Sequence, residues 1–137
     1  MKKLLMSLFL VFLVSISMAS AVLTTVAVSS PTYPGTQTSA NPGDVVSYTV
    51  SATNSAGSTE ITSATLTSSD LLQGSNKISA PVNLGSVTSI TGGSTKIATV
   101  QLTVPTVLKG TYTGTITATD STNSINKATG TYSVVVN

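Results

Sequence analysis

From Asn41 to Asn54 the chain reads NPGDVVSYTVSATN, a Pro-Gly turn followed by strict alternation. Val46, Tyr48, Val50 and Ala52 fall on one face, and Val45, Ser47, Thr49 and Ser51 on the other. Period two with a single apolar face predicts a half-buried antiparallel strand. The pattern recurs downstream. Thr59 to Thr67 carries Ala64 and Leu66 on one face but Ile61 on the other, a phase slip that predicts a bulge. Ile78, Ala80, Val82 and Leu84 alternate, with Pro81 requiring an edge strand or a break. Ala98, Val100, Leu102 and Val104 share a phase. In Gly110 to Thr119, Tyr112, Gly114, Ile116 and Ala118 oppose five threonines. Tyr132, Val134 and Val136 close the chain in phase.

Ahead of these, Val22 to Val28 reads as a first strand with Val22, Thr24, Val26 and Val28 on one side. Residues 29–42 hold Pro31, Pro34, Gly35 and Pro42 among Ser, Thr and Asn, and read as an extended polar linker. Ser55–Ser58 and Thr91–Ser94 read as turns, Ser68–Asn76 as a loop and Asp120–Asn126 as a polar turn. Seven or eight short strands with closely spaced turns predict an all-β, immunoglobulin-like antiparallel β-sandwich. Its expected core is Tyr48, Val50, Val100, Leu102, Tyr112, Ile116, Tyr132 and Val134.

The N-terminus has a different pattern. Met1-Lys2-Lys3 is followed by an apolar run from Leu4 to about Met18, then Ala19-Ser20-Ala21. A basic start, a short apolar middle and a small-x-small site predict a signal peptide over residues 1–21, cleaved after Ala21. The run is short of the roughly 20 residues of a spanning helix. No small residue precedes it where a type IV pilin leader would be cut. The expected division is then 1–21 leader, 22–28 N-terminal strand, 29–42 linker and 43–137 sandwich, with no membrane anchor in the mature chain.

Composition narrows the function. Both Phe and all three Met lie in the leader, and the chain has no Cys, His, Trp or Arg. Without the leader, Lys77, Lys96, Lys109 and Lys127 balance Asp44, Glu60, Asp70 and Asp120. A formally neutral domain offers no basic surface to nucleic acid. With no imidazole base, no thiol and no paired acids, the chain is not expected to be an enzyme or to need a cofactor. With no disulfide available, stability must come from packing and assembly.

The segments PGDVVSYTVSATN, ATVQLTVP and KGTYTGTITATDS resemble the PGxxVxYTVTVTN, TVTVTVP and GTYTVTVTAT segments of archaeal and bacterial cell-surface Ig-like modules. NPCBM-associated domains are among them. The resemblance covers roughly Asn41 to Val136. It implies a sandwich used as a spacer, stalk or assembly unit, and says little more about function.

Three further groups can be weighed. Asp120-x-x-Asn123-x-x-Asn126 spaces oxygen ligands regularly but lacks the dense carboxylates of calcium loops. A turn is the better reading, and no metal is expected. Of the four tyrosines only Tyr33 lies in a loop, which makes it the candidate contact for a surface glycan. The threonine rows read as a solvent face of good β-formers, with O-glycosylation or subunit packing as alternatives.

The expected role is a secreted structural subunit of an extracellular filament or pilus, its partner another copy of itself. Val22, Leu23, Val26 and Val28 would form a donated strand that pairs with a neighbour's sheet edge, head-to-tail. In layout the chain resembles archaeal and bacterial surface filaments built from Ig-like subunits in this way. The alternative is a monomeric cell-surface spacer or adhesion module, with the first strand folded back into its own sandwich.

Overall fold

The computed structural model describes residues 19–80 and 83–137. The expected leader lies largely outside them, as do Pro81 and Val82. Among the described residues no helix is long and apolar enough to cross a membrane.

Among the described residues nine strands follow one another: β1 (Leu23–Val28), β2 (Val45–Asn54), β3 (Ile61–Ser68), β4 (Leu71–Gln73), β5 (Asn76–Ile78), β6 (Asn83–Ile90), β7 (Thr95–Thr103), β8 (Gly110–Asp120) and β9 (Asn123–Val136). One sheet has the order β1-β2-β7, and the other β5-β4-β8-β3-β6 with β9 along the remaining flank of β8. All named strand pairs are antiparallel. This is an all-β sandwich, and it has more strands than the seven or eight expected. The added hairpin β4–β5 lies partly in the stretch read as the Ser68–Asn76 loop. Only three residues form each arm, too short a run for alternation to reveal.

β2 starts where the sequence places it. Pro42 and Gly43 form the corner of a turn in which the Asp44 N–H donates to the Asn41 carbonyl at 3.0 Å. Gly43 takes φ +92°, a conformation natural to glycine at this turn position. β2 then pairs with β7 over nine consecutive residues, Val45 opposite Thr103 through Thr53 opposite Thr95.

The core lies between the sheets. All eight expected core residues are buried, Tyr112, Ile116, Val50 and Val134 completely. Tyr48 and Tyr132 meet edge-to-face across the interior, with centroids 5.3 Å apart and planes at 89°. Their hydroxyls donate to the carbonyls of Ser133 and Ser69. Tyr112, at the start of β8, donates to the Leu108 carbonyl four residues upstream at 2.7 Å. Ig-type sandwiches use a tyrosine corner of this form.

Three expectations need correction. Ile61 is buried along with Ala64 and Leu66, and its partner Ile90 is buried with Val87. Both strands change phase together, with Ser89 at φ +54° on the β6 side, and the expected irregularity of β3 falls further on, where its register with β6 shifts between Thr65 and Thr67. The polar turn after β8 is shorter than Asp120–Asn126, because β9 already begins at Asn123. Residues 29–42 are not a free linker. Thr32 bridges to Ser47, Ala40 bridges in parallel to Val136, and Ala40 is fully buried. The segment thus crosses from the edge of one sheet to the edge of the other.

Candidate strand-acceptor site

β1 is rich in β-branched residues and forms the edge of the three-stranded sheet. In this single chain it pairs with its own β2, with Val28 opposite Val50, Val26 opposite Ala52 and Thr25 opposite Thr53. The register slips between Leu23 and Thr25, and Thr24 is the extra residue of a bulge. The slip inverts the phase of the first residues. Leu23 and Val26 are buried, Val22 and Thr24 are exposed, and Val28 is half-buried. Of the candidate donor residues, Leu23 and Val26 therefore point inward. Val22 does not, because regular alternation does not continue through the bulge.

Two side-chain amides hold the start of β1. The Val22 N–H donates to Asn54 Oδ1 at 3.1 Å, and the Leu23 N–H donates to Asn126 Oδ1 at 2.7 Å. Asn54 ends β2 and Asn126 lies in β9, so the two sheets take one N–H each. Asn54 is completely buried, and its amide nitrogen donates to the Thr59 and Ile90 carbonyls at 2.8 and 2.9 Å. Its Oδ1 also accepts from the Ser58 hydroxyl. A buried amide with every polar atom engaged is rigid, and losing a partner is costly.

Asn126 is oriented from behind by Asp120. The Asn126 Nδ2 donates to Asp120 Oδ2 at 3.0 Å, while the Thr122 N–H and hydroxyl donate to Asp120 Oδ1. A carboxylate only accepts, so it takes the NH2 end of the amide and leaves the oxygen for Leu23. Burial alone would raise the Asp120 pKa. The hydrogen bonds from Thr122, Asn126 and Asn123 outweigh it and hold the carboxyl below its usual range. Among the described residues no group of three or more His, Cys, Asp or Glu could hold a metal ion. Asp120 and Asn126, singled out by spacing, bond directly to each other.

Gly130 completes the slot. A Cβ there would overlap the carbonyl oxygen of Val26 and crowd Val28, so the β1 backbone lies directly against β9. A glycine inside a strand is a signal for such an approach.

Tyr33 is half-buried beside this seam. Its hydroxyl oxygen accepts the Val135 N–H at 2.9 Å, and its ring packs against the core. It serves the docking of residues 29–42 and is not a free aromatic platform.

The β5, β6 and β7 edges are guarded. β5 has three residues. β6 carries left-handed backbone at Gly85 and Ser89. β7 places Lys96 opposite buried Ala52, in the inward phase. The outer side of β9 is bridged by Ala40 at Val136. Short, kinked, charged or covered edges resist pairing with another chain.

The sequence matches no protein-family model and no curated protein. Its fold is similar to that of the CARDB domain of the PF1109 protein from Pyrococcus furiosus. A crystal structure of that domain, described as in complex with di-metal ions, aligns with a TM-score of 0.57 and 18% identity, covering 88% of this chain and 96% of that one. A solution structure of the same domain gives 0.50 and 21%, covering 87% and 97%. The structural neighbours of this chain are thus archaeal CARDB domains, and its fold is of their all-β, Ig-like type.

Proposed function

We propose that this protein is a secreted structural subunit of an extracellular filament, polymerising head-to-tail as each copy places β1 in the slot of the next. The observation that carries the reading is the slot itself. Leu23 and Val26 enter it, Asn54 and Asn126 hold the strand's first N–H groups, and Gly130 makes room for its backbone. The short, kinked or charged edges of β5, β6 and β7 support pairing here rather than there.

The order of synthesis supports exchange. β1 emerges first, whereas β9, which supplies Asn126 and Gly130, emerges last. The two partners of the Leu23–Asn126 bond are 103 residues apart. Until that loop closes, a completed slot on a neighbour can take the strand. Once closed, the cis form competes with an effective concentration on the order of mM.

The pairing of β1 with its own β2, and the docking of residues 29–42, favour a second reading. In it the chain is a monomeric cell-surface spacer. A disulfide trap separates the two, since the chain has no cysteine of its own. In T25C/T53C, oxidation of secreted protein should give covalent multimers that run as a ladder without reductant. If only internally bridged monomer forms, even at high concentration and in material taken from the cell surface, the filament reading is wrong.

A further inference from the structure

The alternation of β1 and its observed phase disagree. Regular alternation would turn Val22, Thr24, Val26 and Val28 inward together, placing three valines on the buried side. The structure instead buries Leu23 with Val26, three residues apart, and exposes Val22. Something must choose the bulged phase over the straight one.

We infer that Asn54 and Asn126 are positioning residues that select the phase of the strand occupying the slot, by taking consecutive N–H groups into opposite sheets. In an extended strand consecutive N–H groups point to opposite sides. A straight β1 would direct one of this pair along the sheet to β2 and leave the other facing β9. The two amides meet both at once, one from the end of β2 and one from β9. The extra residue Thr24 follows immediately, and its hydroxyl donates to the Thr53 carbonyl at 3.2 Å. The bulge thus begins where the clamp ends. The slot then fits a strand with an apolar residue just after the clamp and another three positions on, which in this chain are Leu23 and Val26. The amides read backbone only, so they act alike on the chain's own β1 and on that of a second copy. This inference rests on the acceptor reading above but not on polymerisation.

Single cysteines report the phase, because no other thiol is present. In full-length mature protein, V22C should react rapidly with a water-soluble maleimide and L23C should be protected. Combining each with Asn126→Ala should reverse the order, with L23C reacting faster than V22C. Losing one hydrogen bond is expected to change the preference roughly five-fold. A purely structural role for Asn126 would leave both cysteines reactive, and that result overturns the inference. Unchanged labelling also overturns it. Amide exchange on the unmutated protein gives an independent check, valid even if the variant does not fold. The Leu23 N–H should exchange slowly although it lies next to the chain start, and unprotected exchange there would disprove the clamp. Labelling that reverses in a protein that never forms multimers keeps the phase selection and removes only the filament.

Discussion

The Val26 carbonyl oxygen occupies the space a side chain at Gly130 would need. Together with the Leu23–Asn126 hydrogen bond, this contact ties the first strand of the chain to the last. It also makes Gly130 a switch on whether β1 can lie in the slot at all.

Gly130→Ala should therefore loosen β1 without disturbing the rest of the sandwich. The added methyl meets backbone, which cannot swing away as a side chain can. An overpacked contact of this kind costs about 1–3 kcal/mol. Limited proteolysis should clip the variant near Ser29–Pro31 while leaving residues beyond Val45 intact. Protection equal to the parent would show that β1 does not depend on this contact.

Asp120 should govern stability in acid. Its folded pKa is lowered, so its contribution is fully present above the ordinary carboxylate range and is lost as pH falls through the folded value. Urea midpoints measured from pH 7 downward should fall, and Asp120→Asn should flatten part of that decline while lowering the midpoint at pH 7. An identical acid limb in the variant would remove Asp120 from the account.

Tyr112→Phe should cost roughly 0.5–1.5 kcal/mol, the worth of one hydrogen bond. The ring stays buried, and only the bond to the Leu108 carbonyl is lost. Thermal unfolding of the two proteins side by side gives the difference.

Ile116→Ala tests the core directly. Ile116 is completely buried between the sheets, and truncation there should cost about 2–5 kcal/mol. A change below 1 kcal/mol, on the scale of a surface substitution, would mean that the sheets do not pack through this position.

Much of the fold was legible before the structure. Val46 to Ala52 on β2 and Tyr112 to Ala118 on β8 each have one neighbour-independent phase, because a half-buried strand repeats every two residues. The turn at Pro42-Gly43 was equally plain, since few residues suit its backbone. The slot was far less so. Asn54 looked like the polar end of a strand, and Asn126 like part of a turn. The spacing of Asp120 and Asn126 drew attention to them but not to β1, and for Gly130, a glycine inside a strand, alternation alone could not say which backbone approached it.

The all-β class, the inward faces of β2, β7, β8 and the end of β9, and the lack of cysteine and histidine can all be read along the chain. These follow from local periodicity and composition. The phase of β1, the docking of residues 29–42 and the meeting of Asn54, Asn126 and Asp120 around β1 arise only when the two sheets pack together. Those contacts join residues as far as 103 positions apart. They depend on which sheet each edge reaches, and a pattern read along the chain contains no term for that distance.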